Sequence, residues 1–187
     1  MNSVADFEYL SKTKIKSGEG VSSTIDEELR QRGAENPLIV TDANIVELGV
    51  LDPIEESLVS AETEYTVFDG VVPNPKAETF AAAVDQFSAE GCDSVVAVGG
   101  GSSIDSAKAI SILIENGGEI SEYYGVDKVP EPVSFPLVTV PTTAGTGSEV
   151  TPASVVSEPA DKQKMPIISE NIFPTVAVLD PTLLESL

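Results

Sequence analysis

The sequence has no histidine, no tryptophan and a single cysteine, Cys92, in 187 residues. Without histidine there is no Ser-His-Asp triad and no His-containing zinc site; with one cysteine there is no disulfide inside the chain and no Cys-rich metal site. Any metal would have to be held by carboxylates alone. Basic residues are the next scarcity: 10 Lys and Arg stand against 31 Asp and Glu, giving a formal charge of −21 and a pI of about 4.1. Affinity for a phosphate backbone rests on clustered Lys and Arg, so nucleic acid is excluded as a partner. No apolar run approaches the roughly 18 to 20 residues of a membrane span, and Met1 to Leu10 carries Asp6 and Glu8 where a signal peptide carries positive charge. The expectation is a soluble, cytoplasmic protein with no membrane partner.

What remains is enough to fold. Hydrophobic residues make up 41% of the chain and the mean hydropathy is +0.08, too apolar for a disordered acidic tail. Three acids per base exceed what solubility asks of a surface. Such a surface repels itself in dilute buffer, whereas at about 1 M salt the Debye length falls to about 3 Å and screens the repulsion. The composition therefore suits a high-salt cytoplasm.

From Asn36 onward short apolar runs alternate with longer amphipathic ones, the pattern of βαβ units and a mainly parallel sheet. The expected strands are Pro37 to Thr41, Glu64 to Phe68, Asp93 to Val98, Pro136 to Val140 and Thr175 to Leu179. Between them, helices are expected over Asn44 to Leu48, Ile54 to Ala61, Ala77 to Glu90 and Ser103 to Glu115, the third with Phe80, Ala83, Val84 and Phe87 at helical spacing. Upstream, Phe7 to Lys16 reads as an extended piece at a sheet edge or paired with another subunit. Gly20 to Arg32 reads as a helix capped by Ser22 or Ser23 and closed by Gly33. Thr151 to Ile168 reads as a surface hairpin turning at Glu158 to Asp161. The fold class is thus α/β, a Rossmann-like, mainly parallel sheet flanked by helices, with an N-terminal strand and a peripheral hairpin. No Pro, Gly or Ser-rich linker marks a boundary, so residues 1–187 count as one domain.

The segment with most chemical content is the apolar strand that runs into Gly99, Gly100, Gly101, Ser102 and Ser103. Glycines let a backbone approach a bulky anion, and the following helix aims its free N–H groups and positive dipole end at that anion, as in a pyrophosphate cradle. The spacing is neither G-x-G-x-x-G nor a P-loop. A second loop, Pro141 to Glu149, carries Thr142, Thr143 and Thr146 at another strand's carboxyl end, where ligands of open α/β sheets sit. Asp42, directly after the first strand, is either an N-cap or an acceptor for an adenosine ribose diol; in the second role it repels a 2′-phosphate and favours NAD over NADP. Asn74, between Pro73 and Pro75, is by itself a turn residue. Lys164 either snorkels at the surface or faces the cleft as a counter-ion. Cys92 reads as a small buried hydrophobe with no base to activate it.

Gly99-Gly100-Gly101-Ser102-Ser103-Ile104-Asp105-Ser106-Ala107-Lys108 and Pro141-Thr142-Thr143-Ala144-Gly145-Thr146-Gly147-Ser148-Glu149 together resemble the iron-containing (group III) alcohol dehydrogenases. Asp69-Gly70, Pro73-Asn74-Pro75, Tyr124 to Asp127 and Leu179-Asp180-Pro181 add to the resemblance, which spans nearly the whole chain. It implies that Asp42 accepts from the adenosine ribose and that Gly99 to Ser103 hold the pyrophosphate. It implies further that Asn74, Lys164 and Leu183 contact the cofactor and that Thr142, Thr143 and Thr146 surround its diphosphate and nicotinamide side. The family's Fe²⁺ or Zn²⁺, its ligands and its helical second domain have no counterpart in this sequence. The resemblance therefore implies an NAD-binding domain whose full-length parent moves hydride between a small alcohol or aldehyde and NAD, inactive by itself and a homodimer or larger. Alternatives are a free-standing nucleotide-binding or assembly module, a polyol dehydrogenase, or a dehydroquinate-synthase-like member of the superfamily.

Overall fold

The computed structural model describes residues 10–72, 77–158 and 163–184. Six parallel strands form the central sheet in the order β1-β9-β6-β4-β2-β3. They are β1 (Lys14–Ser17), β2 (Pro37–Val40), β3 (Thr66–Phe68), β4 (Ser94–Gly99), β6 (Leu137–Pro141) and β9 (Val176–Leu179). A second, three-stranded sheet joins β5 (Gly125–Val126) to the antiparallel hairpin of β7 (Ala153–Glu158) and β8 (Gln163–Ile168). The hairpin expected over Thr151 to Ile168 is therefore present, though its tip, 159–162, lies outside the described residues.

The central strands are continuous apolar runs because both faces are covered. Leu38, Val40, Val95, Ala97 and Leu137 point into one core with α4 (Ala77–Ala89) and α5 (Gly101–Asn116). Ile39, Val96, Val98, Val138 and Val140 alternate into the other, closed by α1 (Ile25–Arg30), α2 (Ala43–Glu47) and α3 (Asp52–Ser60) through Ile25, Leu29, Ile45, Ile54 and Leu58. The strands of β2 and β4 read as buried along their whole length.

From β2 the chain passes through α3 to β3 on one side, and from β4 through α5 to β6 on the other. The reversal of direction between β2 and β4 opens a crevice at their carboxyl ends, the usual ligand position in such sheets.

The N-terminal strand finds its partner at the other end of the chain. β1 pairs in parallel with β9, Lys14 opposite Val176 and Ser17 opposite Leu179, and forms the sheet edge. It is tied down from behind by Glu28, 2% exposed, whose carboxylate accepts from Lys14 at 2.8 and 2.9 Å and from Arg32 at 2.9 Å. Burial raises the Glu28 pKa, but Lys14 and Lys16 outweigh it and hold the group below the usual carboxylate range.

The helix expected over Gly20 to Arg32 is shorter and differently capped. A 3-10 turn over Val21–Thr24 precedes α1, and neither Ser22 nor Ser23 caps it. The Ser22 hydroxyl instead donates to Asp180 Oδ2 at 2.6 Å and that of Ser23 to the Gly20 carbonyl. Gly33, with φ of 74°, closes the segment as expected. Asp180 is the anchor here, 1% exposed and accepting from the amides of Gly20, Ser22 and Thr182 as well as from the hydroxyls of Ser22 and Thr182. Burial pushes its carboxyl up, yet these bonds together draw it down to about 2.

Candidate functional site

Three strand ends meet at the crevice. β4 ends in Gly99, with φ of 138°, and α5 begins two residues later, earlier than the expected Ser103. Its N-cap position is Gly100, which has no side chain to cap with, so the first-turn amides are free of side-chain partners. A Cβ on Gly99 would come 2.5 Å from Ser103 Oγ, and one on Gly100 3.3 Å from Thr143 Oγ1. A Cβ on Gly101 would meet Thr146 Cγ2 at 3.2 Å. The glycine turn thus lies close against the threonine loop, and side chains at Gly100 and Gly101 would crowd Thr143 and Thr146.

Asp42, at the end of β2, takes the N-cap position expected as one of its two alternatives. As N-cap of α2 its Oδ1 accepts from the amides of Asn44 and Ile45 at 3.1 and 3.3 Å. Its Oδ2 faces the glycine turn, where the Ser103 hydroxyl reaches it at 3.3 Å. A bridge between Asp42 and Gly70, with the Val71 amide donating to the Thr41 carbonyl, lays the segment after β3 alongside. The Asp69-Gly70 pair therefore belongs to this edge; Asn74, four residues on, lies outside the described residues.

The threonine loop leaves β6 beside the glycine turn. The Thr142 amide donates to the Gly99 carbonyl at 3.0 Å, and its hydroxyl is buried without a partner. Thr143 and Thr146 are exposed. Between the loops and the hairpin lies a cavity of about 620 Å³ lined by Gly101, Ser102, Asp105, Thr146, Ser148 and Lys164. Lys164, exposed on β8, therefore stands at the same cleft as the glycine turn. Leu183 does not line it: the side chain is 6% exposed in the core shared with Val140 and Val178.

Composition and spacing gave no warning of Lys108. It is fully buried, and its ammonium donates to the carbonyls of Ser148, Thr151 and Ala153 at 2.6, 2.7 and 2.7 Å. Burial lowers its pKa to about 8, against the opposing pull of Asp105 and Glu149. Asp105 Oδ2 accepts from the Val155 amide while Oδ1 is buried without a partner. Burial raises its pKa, opposed by the Val155 amide, Lys108, Ser148 and Lys164. The one available signal was the Asp105 and Lys108 pair, three apart on a helix otherwise filled with small and apolar residues. Cys92 is buried, as expected, and burial pushes its thiol up.

A larger cavity, about 790 Å³, opens at the opposite, amino ends of the strands, where Glu35, Glu62, Glu64 and Asp93 face Arg30. Its carboxylates suit an anionic ligand badly, and the glycines that line it, Gly33 and Gly91, follow the C-terminal ends of α1 and α4 rather than opening a helix. Among the described residues no group of three or more His, Cys, Asp or Glu could hold a metal ion, and no helix is long and apolar enough to cross a membrane.

Comparison with known proteins bears on the family of the chain. The family profile described as iron-containing alcohol dehydrogenase matches residues 12–181. The NAD-dependent methanol dehydrogenase of Bacillus methanolicus is 42% identical over 167 residues, 89% of this chain and 44% of that protein. The crystal structure of a 1,3-propanediol oxidoreductase superposes with a TM-score of 0.90 at 36% identity, over 96% of this chain and 47% of the other. That of sulfoacetaldehyde reductase from Bifidobacterium kashiwanohense, in complex with NAD+, gives 0.86 at 30%, over 98% and 48%. The chain spans about half the length of the relatives it matches. On sequence and on fold, the chain belongs to the iron-containing alcohol dehydrogenase family.

Proposed function

We propose that this chain is a single NAD-binding domain, the cofactor-holding part of a metal-dependent alcohol dehydrogenase. The observation that carries the reading is the close contact between the glycine turn and the threonine loop, with the N-terminus of α5 opening beside it. A diphosphate laid there meets free first-turn amides and the positive end of a 16-residue helix. Gly99, Gly100 and Gly101 let the turn pack against the threonine loop with its backbone bare, and Ser102 and Ser103 complete that first turn. Thr142, Thr143 and Thr146 supply hydroxyls on the far wall, and Lys164 supplies a cation at the mouth. The family resemblance adds Asn74, outside the described residues, and Leu183, buried in the core, as cofactor contacts.

Asp42, held by two amides and by Ser103, presents a fixed carboxylate to a ribose diol and opposes a 2′-phosphate; this makes NAD the cofactor rather than NADP. NAD held by these residues would supply the hydride acceptor for oxidation of a small primary alcohol, and NADH the hydride donor for reduction of an aldehyde. The residues described here do not fit the family's Fe²⁺ or Zn²⁺, and no step is assigned to a metal. This chain by itself holds and orients the dinucleotide, and the assembly is a homodimer or larger in a high-salt cytoplasm. Calorimetry in 1 M KCl tests the reading: NAD binds and NADP binds more weakly, with no alcohol-dependent NADH formation. NADP binding as tight as NAD, or turnover by the chain alone, contradicts it.

A further inference from the structure

Lys108 lies on α5, two turns below the amides proposed to meet the diphosphate, and has no exposed surface. An ammonium has three N–H donors and no acceptor. All three are taken, at 2.6 to 2.7 Å, by carbonyls 40 to 45 residues away in sequence. Those carbonyls belong to Ser148, at the exit of the threonine loop, to Thr151, and to Ala153, where β7 begins. No N–H is left for a ligand, so this lysine acts on one only through the chain it holds. Bonds between a charged donor and buried carbonyls are about twice as strong as neutral ones, and each carbonyl is costly to bury unpaired.

We propose that Lys108 is the positioning residue of the dinucleotide site: its ammonium fastens the exit of the threonine loop to α5 and so fixes the distance between that loop and the glycine turn. The inference rests on the NAD-binding reading for its consequence, but the fastening itself is a property of the free chain. The charged groups facing Lys108 are Asp105, on its own helix, and Glu149, on the loop; Lys164, on β8, acts on Asp105. Losing the ammonium's proton leaves two donors for three carbonyls, so one carbonyl is abandoned and the loop loosens.

Amide hydrogen exchange on the free chain, with and without Lys108→Met, tests the fastening separately from cofactor binding. The expected result is a loss of protection of about tenfold or more confined to residues 146–153, with β2 and β4 unchanged, and NAD affinity weakened to match. Unchanged protection in 146–153 overturns the proposal whatever happens to NAD. Loosening of the loop in a chain that binds no NAD at any pH supports the fastening and refutes the NAD reading. If Lys108→Met does not fold, the exposed Ala144 of the same loop gives a second measurement, because the chain has no tryptophan of its own. In Ala144→Trp, emission anisotropy falls as pH rises through about 8, the value to which burial brings Lys108. A signal invariant up to the pH at which the chain unfolds overturns the proposal.

Discussion

The Ser103 hydroxyl donates to Asp42 Oδ2 at 3.3 Å, joining the first turn of α5 to the cap of α2 across 61 residues of sequence. The residue that caps one helix is thereby held by the N-terminus of another. The hydrogen bond links the carboxyl ends of β2 and β4, and it orients the Asp42 carboxylate toward the glycine turn.

Replacing Asp42 separates these roles. Asp42→Ala removes the cap of α2, a loss of about 1 kcal/mol in a urea titration. It also removes the charge opposed to a 2′-phosphate, so the preference for NAD over NADP falls by about tenfold or more in paired calorimetric titrations. Asp42→Asn keeps part of the cap and loses the preference. Unaltered discrimination in both variants contradicts the role given to the carboxylate.

Gly99→Ala tests the turn itself. The new methyl would stand 2.5 Å from Ser103 Oγ, at a φ of 138° that an L residue rarely adopts. A cost of about 1 to 3 kcal/mol is expected from the strained backbone alone. Weakened NAD binding accompanies it, measured on the fraction that remains folded. A fully stable Gly99→Ala that binds NAD normally removes the glycine turn from the site.

Acid unfolding should carry the signature of Asp180. Its folded pKa of about 2 lies below the unfolded value of about 3.9, so its contribution is complete above that unfolded value and is lost as pH falls through the folded one. The span corresponds to about 2.5 kcal/mol. Asp180→Asn loses this part of the pH dependence and is less stable at neutral pH. Superposable stability profiles for the two chains between pH 5 and 2 would show that the five hydrogen bonds contribute no net stabilisation.

The charge of −21 makes a simpler demand. Going from dilute buffer to 1 M KCl screens carboxylate repulsion and raises the melting temperature. The same titration in KCl and in sucrose separates screening from solute exclusion, and a melting temperature that does not rise in KCl refutes the high-salt reading.

The central strands were legible because each is a short, continuous, β-branched run: Ser94–Gly99 and Val176–Leu179 fall within a residue or two of the expected spans. Cap chemistry was less legible. Ser22 looks like a helix cap and is instead a donor to Asp180, 158 residues away, and α5 starts on glycines rather than on the serine that follows. Such choices depend on partners that local sequence does not contain. The two glycine and threonine loops were legible because small residues after apolar strands have few other uses. Lys108 was not, since only the carbonyls folded over it make a buried lysine tolerable. β5, two residues long, carries no periodic signal at all.

The pairing of β1 with β9 sets an order of events. Residues 14–17 leave the ribosome early, yet the strand they join is made of residues 176–179, and Gly20 and Ser22 wait likewise for the carboxylate of Asp180. The first strand must remain undocked while more than a hundred and fifty residues are synthesised. The ion pairs of Lys14 and Arg32 with Glu28 are local, but the sheet edge can close only after almost the whole described chain has emerged. The first and last strands of this sheet therefore fasten each other, and the contact that closes its edge is among the longest in sequence that the described chain makes.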